Sequence, residues 1–308
     1  MKKLISTLLA IIMLVFTTFP AFASENTAFL QPPKTVDEVS ELLDNLDNTQ
    51  ILVSSEKTMI DNMLKNNAIT RRELNEQLTT LSQRSELDLR NEGYNEKQIG
   101  IIKSYEDGED AYEHVFGTKN KASRADATVE FRYGLAGSNT RKDIGIAYDM
   151  TWSSCPFFTF TDSFGIGWIA ADSNSYEVIT KINSSTGEIR FATTDESYTG
   201  EYRDVSMNTS SSNVVTGNPV IGSAGGSYGK RIGGYTQIST QSNSYNIDTI
   251  HVFVAYAHTT IKPTASASVT IGWKKLDGTI AFSANASQEL IVSGDHTFRY
   301  SDQGEIVA

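Results

Sequence analysis

The stretch Asp143-Ile-Gly-Ile-Ala-Tyr-Asp-Met-Thr-Trp152 decides the fold, because large apolar side chains occupy every second position. Successive side chains of a β-strand point to opposite faces, so this period of two predicts a strand with one buried and one wet face. The same period recurs at Val129–Tyr133 and at Ala265–Trp273. Closely spaced strands of this kind predict an antiparallel sandwich, or a barrel-like domain, over residues 125–308.

Two hairpins are predicted inside this β-domain, where turn residues separate strand-like runs. In the first, Tyr176–Ile182 and Glu188–Thr193 flank the polar run 183–187. The second turns at Leu276-Asp277-Gly278, between two further strand-like runs. Hairpins joined by such short connections favour antiparallel sheets.

The sequence also predicts one central strand and one weakly structured segment. Ile250–Ile261 is apolar on both faces, which is typical of a strand inside a sheet, and Pro263 ends or bends it. Residues 207–247 are rich in Ser, Asn, Gly and Thr, a composition that predicts long loops or a weak, mobile strand pair. Within them, Gly222–Gly234 lacks the spacing of a phosphate-binding loop, and we interpret it as a surface loop or bulged hairpin.

Residues 24–118 form a predicted helical region. The segments Thr35–Glu38 and Thr70–Glu73 have the spacing of a capping box, in which two side chains satisfy free N–H groups at a helix start. Apolar residues follow each box at helical spacing. The helix that starts at Thr70–Glu73 is expected to run as far as Gly93. Asn95 is expected to cap a later helix.

A short segment, 119–124, divides the two regions. It reads Lys-Asn-Lys-Ala-Ser-Arg, with three positive charges and no bulky apolar residue, and it predicts a linker. The chain is therefore predicted to belong to the α+β class, with an N-terminal helical region followed by an all-β antiparallel sandwich or barrel-like domain.

The first 23 residues read as a signal peptide. Lys2 and Lys3 precede the apolar run Leu4–Phe16, Pro20 breaks the helix, and Ala21-Phe22-Ala23 is a small-residue cleavage site. The apolar run is shorter than the roughly 20 residues that a membrane span needs. We therefore expect cleavage after Ala23 and a secreted protein without a stable transmembrane segment.

The net charge restricts the partners that the protein can bind, and the single cysteine indicates what kind of organism makes it. The chain carries a net charge of −11, and losing Lys2 and Lys3 makes it more negative still. Nucleic acid and anionic lipid would repel such a chain. Cys155 cannot form an intramolecular disulfide, and its apolar surroundings favour a small buried side chain over a nucleophile. An exported protein without disulfides, with a lysine-led signal, is typical of a bacterium.

No cofactor or metal site is predicted. The histidines lack metal-binding spacing, and His251 and His258, seven residues apart on one strand, should face opposite sides. Asp295-His296 could orient an imidazole, but a turn beside a strand explains the pair equally well. The acidic run Glu106–Glu113 lacks the order of a calcium-binding EF-hand loop and is interpreted as a solvated turn, with Ca²⁺ binding there left open.

Aromatic residues are the candidates for ligand binding. Tyrosines in loops and near strand ends provide rigid contact area at low entropic cost. Tryptophans beside aspartates are also what a sugar-binding face or a glycosidase would use, with Asp143, Asp149 and Asp162 as the acids. The six candidate ligand-binding residues are Trp152, Trp168, Tyr198, Tyr202, Tyr228 and Tyr235.

Three functional hypotheses remain from the sequence. The first is a secreted non-enzymatic binding or surface-interaction protein, whose partner is an extracellular glycan, a cell-wall component or a protein. The second is a protease-activated toxin or pore-former, cut at 119–124, whose segment 207–247 refolds into membrane hairpins. The third is a secreted glycan-directed hydrolase. A sandwich fold can serve all three.

Overall fold

A computed structural model describes residues 32–117, 127–137, 140–193, 195–223, 226–260, 271–284, 288–301 and 303–308. The predicted export signal at residues 1–23 and the predicted linker at 119–124 lie outside these residues. Most of the predicted strand Ala265–Trp273 also lies outside them. These three features therefore stay predictions.

Helices occupy the first part of the described chain. They are α1 (Val36–Asn45), α2 (Glu56–Lys65), α3 (Arg71–Ser82), α4 (Glu86–Asn91), α5 (Glu96–Lys103) and α6 (Ala111–Phe116). Within the residues that the structure describes, no helix has the length and apolar character needed to cross a membrane.

Each helix begins at a side chain that satisfies a free N–H group, as the sequence predicted for Thr35, Thr70 and Asn95. One boundary differs from the prediction. The helix after Thr70 ends at Ser82 and does not reach Gly93, because Ser85 caps the separate helix α4. A serine in an extended conformation interrupts the helix and starts the next one.

Fifteen strands are described, and thirteen of them form two sheets. The first sheet has the order β1 (Gln50–Ser55), β2 (Thr128–Gly137), β3 (Asp143–Trp152), β10 (Tyr228–Thr240), β6 (Thr180–Ala192), β7 (Tyr198–Asp204). The second has the order β15 (Ile306–Val307), β14 (Gln288–Tyr300), β11 (Thr249–Thr259), β4 (Ser163–Ala171), β9 (Val214–Gly217), β8 (Met207–Asn208), with β5 (Glu177–Val178) also on β4. Every pairing between them is antiparallel, and the sheets do not close into a barrel.

The two sheets pack face to face, which confirms the predicted sandwich. Three ring contacts join strands of the first sheet to strands of the second: Trp152 to Tyr256 at 6.2 Å, Tyr148 to Phe164 at 5.4 Å, and Tyr133 to Phe298 at 6.2 Å between centroids. All six rings are fully buried. They are the bulky positions of the period-two strands, so the alternation in the sequence generates the core.

Two sequence predictions are confirmed in the second sheet and in the hairpin that packs on its outer face. β11 is a central strand, with β14 on one side and β4 on the other. The hairpin of β12 (Gly272–Leu276) and β13 (Thr279–Ser283) turns at Asp277-Gly278, where Gly278 has a positive φ of 71°. This hairpin lies on the outer face of the second sheet.

The helical region contributes directly to the sandwich. β1, in a region for which only helices were predicted, pairs with β2 over six residues at the edge of the first sheet. Its outward side chains, Ile51 and Val53, are exposed, and this short alternation was not recognised in the sequence. Helix α1 covers the outer face of the same sheet through Val39 and Leu43. The described residues therefore belong to one compact unit.

Two strands of the first sheet differ from the predictions. The expected hairpin at residues 176–193 is replaced by β6, a single strand of 13 residues that contains the expected turn residues 183–187. β10 lies inside the segment 207–247, for which long loops or a weak, mobile strand pair were expected, and it pairs with β3 and β6 along its length. The glycines of β10 are present because neighbouring groups approach closely: Gly233 faces Val36 of α1, and Gly234 faces the ring of Tyr148.

Substitution of Gly234 tests this explanation of β10. A Cβ atom at Gly234 would overlap the carbonyl oxygen of Thr186, which is backbone and cannot rotate away. We expect Gly234→Ala to lower the free energy of unfolding by about 1–3 kcal/mol, the usual cost of overpacking. Gly100→Ala is the control: Gly100 lies exposed in α5 with open space around its Cβ position, so alanine should stabilise by about 0.5–1 kcal/mol. Urea unfolding measures both, and equal effects would contradict the explanation.

Candidate functional site

Four of the six candidate aromatic residues are buried. Trp152 and Trp168 are fully buried, and their indole N–H groups donate to the Tyr256 hydroxyl at 3.2 Å and to the Thr180 hydroxyl at 2.9 Å. Tyr228 is also fully buried, and Tyr235 lies beneath α1. These rings pack against the protein's own residues. The structure does not bring all six candidates together, and their role as a ligand set stays a prediction.

The other two candidates meet on the outer face of the first sheet. Tyr202 on β7 is the direct cross-strand partner of Arg190 on β6, and Arg231 on β10 is the partner of Arg190 on its other side. The Arg190 guanidinium lies 3.7 Å from the ring centroid of Tyr198 and 5.3 Å from that of Tyr202. We call Asp37, Arg190, Tyr198, Tyr202 and Arg231 the arginine–tyrosine cluster.

The carboxylate of Asp37 holds this cluster together. Two arginines directly opposite each other on neighbouring strands repel, and an opposite charge between them removes that cost. Asp37 lies 2.7 Å from the Nη1 atom of Arg190 and 3.5 Å from that of Arg231, and it accepts a hydrogen bond of 2.8 Å from the Tyr202 hydroxyl. This hydrogen bond raises the pKa of Tyr202 above its ordinary value.

Helix α1 places Asp37 at this point. Asp37 lies in the first turn of α1, and the N–H of Val36 donates to the carboxylate of Glu188 on β6 at 2.8 Å. The start of the helix is thereby fixed to the strand that carries Arg190. The cluster is rigid, because each charged member is held by groups on at least two elements.

A second group of side chains supports the cluster from beside Tyr198. Lys230 lies 5.7 Å from the Tyr198 ring centroid and 2.8 Å from the carboxylate of Glu196. The buried Tyr228 donates its hydroxyl hydrogen to the same carboxylate. Burial, and then this hydrogen bond to Glu196, raises the pKa of Tyr228 well above its ordinary value. The charges beside the cluster are therefore paired.

A buried ionic triad was not foreseen from the sequence. The imidazole of His258 lies between Asp162, with its Nδ1 atom 2.9 Å from the carboxylate, and Glu56, with its Nε2 atom 3.4 Å from Oε1. All three side chains are fully buried. Asp162 also accepts hydrogen bonds from the Tyr256 hydroxyl and the Thr259 N–H. Glu56 accepts from the N–H groups of Phe157 and Phe158 at 2.7 and 2.9 Å.

The triad joins a helix to a strand. Glu56 is the first residue of α2, and His258 lies on β11. Burial lowers the pKa of His258, but attraction to and hydrogen bonds with Asp162 and Glu56 outweigh burial and raise the pKa to about 10. The imidazole is therefore a cation at neutral pH and is balanced by two carboxylates. We assign the triad a structural role, because a group without exposure cannot contact a dissolved ligand.

The acids considered for glycan hydrolysis do not share a cleft. Asp143 and Asp149 lie six residues apart on β3, which separates them by about 20 Å. Asp149 is fully buried and pairs with Arg132, whose Nε atom is 2.9 Å from Oδ1. Asp162 belongs to the buried triad next to the second sheet. The arrangement that suggested a hydrolase is therefore not formed.

The structure also gives the surroundings of the histidines of the second sheet and of Cys155. His251 and His258 face opposite sides of β11, as predicted. Asp295 is 2.5 Å from Nε2 of His251, so it does not orient His296, whose ring packs against Phe298 instead. Cys155 packs against the core, and burial raises the pKa of its thiol well above the ordinary value. The thiol is therefore protonated at neutral pH.

The acidic run Glu106–Glu113 spans the turn before α6 and the first turn of that helix. Asp110 caps α6 by accepting a hydrogen bond from the Glu113 N–H, and it contacts Arg71 at 2.5 Å. Among the residues that the structure describes, no three His, Cys, Asp or Glu side chains are placed to hold a metal ion. The glycine-rich stretch 222–234 lies partly outside the described residues, and its second half is the start of β10.

Comparison with known proteins gives structural neighbours only. No known family profile and no curated protein matches this sequence. Among solved structures, the collagen-binding subdomain of Enterococcus faecalis surface protein ACE is similar, with a TM-score of 0.26, 12% identity, and 54% of this chain and 90% of that chain covered. A collagen-binding domain from a Staphylococcus aureus adhesin has a TM-score of 0.26 at 10% identity, covering 51% and 87%.

A third neighbour is the KRT10-binding region domain of the pneumococcal serine-rich repeat protein PsrP, with a TM-score of 0.22 at 10% identity, covering 44% of this chain and 79% of that chain. These three neighbours are bacterial surface proteins with β-sandwich folds. All three TM-scores are below 0.5, so the function of this chain is inferred below from its own surface.

Proposed function

We propose that this chain is an exported, non-enzymatic binding protein whose arginine–tyrosine cluster contacts an extracellular protein. The observation that carries the proposal is the position of Arg190, held between two tyrosine rings and Asp37 on the outer face of the first sheet. Tyrosine and arginine are the side chains that most often dominate the energy of protein–protein interfaces. The predicted signal peptide at residues 1–23 supports an extracellular location.

The geometry of the cluster supports binding with a small entropic cost. Tyr202 is 39% exposed, while its hydroxyl is already fixed on Asp37. A ring that is held before the partner arrives loses little conformational freedom on binding. Two guanidinium groups share the carboxylate of Asp37, and the carboxylate of Glu188 also lies beside the cluster. A partner surface that presents polar groups next to apolar area fits this arrangement.

A protein is favoured over a glycan or a cell-wall polymer by the nature of these contacts. The exposed ring is one tyrosine beside guanidinium groups, which provide planar, bidentate donors for a carboxylate. The protease-activated toxin is not favoured, because β10 lies in the second half of the segment 207–247 and pairs on both sides. Refolding of that segment would dismantle the first sheet.

The test compares two exposed tyrosines. The mature chain is passed over immobilised collagen, keratin and other extracellular proteins, and over peptidoglycan, and binding is measured by surface plasmon resonance. On the protein surface that binds, we expect Tyr202→Ala to weaken binding at least tenfold, which corresponds to about 1.4 kcal/mol or more. Its melting temperature should change little, since Tyr202 lies on an edge strand.

Tyr176→Ala is the matched control, because Tyr176 is 72% exposed and lies outside the cluster. It should bind as the unmodified chain does. Arg190→Lys keeps the charge but removes the planar group stacked on Tyr198, so it should weaken binding as well. Equal binding by all the variants, or retention by peptidoglycan alone, would contradict the proposed function.

A further inference from the structure

β6 has a free edge over almost half of its length. β10 pairs with β6 from Thr180 to Ala192, but β7 pairs on the other side only between Glu188 and Ala192, extended by one hydrogen bond from the Val205 N–H to the Gly187 carbonyl. Along 181–186, no strand among the described residues pairs with β6 on that side. Alternate N–H and C=O groups of this segment therefore face away from the sheet without a ladder partner.

A groove of about 460 Å³ runs along this free edge. Lys181–Ser185 form one wall, and Met207 with Thr209–Ser212 form the other. This volume is within the range of about 300–1,000 Å³ that is typical of ligand-binding clefts. Six residues of strand span about 20 Å, which is the length of an ordinary strand.

One end of the groove is closed. Met207 and Val205 approach β6 at Gly187, where a Cβ atom would lie 2.7 Å from the sulfur of Met207. The opposite wall is also held in place, because Asn213 donates to the carbonyl of Trp168 at 3.2 Å and Asn208 accepts from the Ser210 N–H at 3.0 Å. The groove is therefore formed before any partner binds.

The pairing of β6 with β10 is irregular beside the groove. The register shifts opposite Gln237 and Ile238, so that Asn183 has no direct partner on β10. Such a bulge turns the strand locally and is common at edges and beside binding sites. The side chain of Asn183 is fixed by a hydrogen bond of 3.1 Å from the Ser239 hydroxyl.

We propose that an extended segment of the partner protein binds in this groove by adding a strand to the free edge of β6. Strand addition obtains its affinity from main-chain hydrogen bonds, which the open N–H and C=O groups of 181–186 offer. Hydroxyl and amide groups dominate both walls, and Lys181 is the only charged residue among them. The segment that fits is therefore neutral or acidic, with small polar side chains.

This inference rests on the proposed function, because it names a second part of the same partner, which binds at the edge of β6. Arg190 and the groove both belong to β6, five residues apart at their nearest, which is about 17 Å. A partner that adds a strand at 181–186 can therefore also reach the arginine–tyrosine cluster.

The test uses two synthetic peptides. The probe is Thr-Ser-Thr-Ser-Thr-Ser-Asp, and the control is the same peptide with alternate backbone nitrogens methylated, which cannot form a ladder. Amide hydrogen exchange of the mature chain is followed by mass spectrometry with each peptide present. We expect the probe to slow exchange in the peptide fragment that contains 181–186 at least fivefold, and the methylated control to leave it unchanged.

Two variants locate the binding. Ser211→Trp fills the groove from the wall opposite β6 and should abolish the slowing, whereas Asn91→Trp on the exposed end of α4 should not. Slowing by both peptides, or persistence of slowing in Ser211→Trp, would overturn strand addition. Strand addition would also be overturned if the probe at millimolar concentration did not slow exchange. The same holds if a cell-wall oligosaccharide slowed exchange and neither peptide did. If Tyr202→Ala weakens binding of the whole partner while Ser211→Trp does not, the proposed function stands and strand addition fails.

Discussion

Asp162→Ala is expected to cause the largest loss of stability among single substitutions at the polar sites. Asp162 accepts hydrogen bonds from the Tyr256 hydroxyl and the Thr259 N–H, and it pairs with the imidazole of His258. Removing it leaves these donors buried without their acceptor and leaves His258 with only the more distant Glu56. Breaking a buried ion pair by removing one partner costs about 3–5 kcal/mol, because the other charge stays buried.

The matched control is Asp295→Ala. Asp295 also pairs with a histidine of β11, His251, at 2.5 Å, but on the outer face, where the two side chains are 57% and 31% exposed. Exposed pairs of this kind contribute about 1 kcal/mol or less. Urea unfolding followed by tryptophan fluorescence measures both variants, since Trp152 and Trp168 are fully buried. Equal shifts of the unfolding midpoint would show that the buried triad contributes no more than the surface pair.

The second large effect is a loss of stability as the pH rises above neutrality. The pKa of His258 is raised from its ordinary value of 6.5 to about 10 in the folded chain. A group whose pKa is raised by folding contributes all of its stability below its unfolded pKa, and it loses that contribution as pH rises from there to the folded pKa. Between pH 7 and 8.5 the folded chain keeps this proton while the unfolded chain releases it.

In this window we expect the free energy of unfolding to fall by about 1.4 kcal/mol per pH unit, or about 2 kcal/mol in total. Burial raises the pKa of Cys155 and of several tyrosines from ordinary values of 9 and above, so these groups add their own dependence only at higher pH. His258→Gln cannot titrate here and should show a flat profile between pH 7 and 8.5, although its stability is lower throughout. A steep profile in both proteins would assign the effect to another group.

The sequence predicted those elements whose local pattern agrees with their final surroundings. β2 has one face in the core and one outside. β3 is buried on both faces, because α1 covers the side that was predicted to be wet. Large apolar residues still alternate in both strands, so both were recognised. The capped helices were also recognised, because the cap of a helix is a local interaction between residues three apart. The central position of β11 followed from its apolar character on both faces.

β10 and β6 were not predicted as long continuous strands, for a physical reason. A glycine at 233 or 234 reads as a loop residue, but it is required where α1 and Tyr148 approach the backbone. In β6, the polar run 183–187 reads as a turn, but it is exposed strand along a free edge. For β10 the residue type is set by neighbours that are distant in sequence, and for β6 by the lack of a paired strand on one side. A local pattern cannot report either.

The candidate site was predicted only in part. Loop and edge tyrosines were named, and Tyr198 and Tyr202 do meet, but their partners Asp37 and Arg190 lie more than 150 residues apart in sequence. The triad was not predicted, because Glu56, Asp162 and His258 come from three separate segments. One signal was available: an inward-facing histidine in a central strand is a buried polar group that requires partners.

The pairing of β1 with β2 determines what a break between α6 and β2 would do. β1 contributes six rungs to the edge of the first sheet, and α1 covers that sheet from outside. The segments before and after such a break would stay bound to each other as two chains, as in a split reporter protein, and would separate only in denaturant. The N-terminal helices are therefore an integral part of the sandwich, and a nick there would change the covalent connectivity while leaving the folded assembly intact.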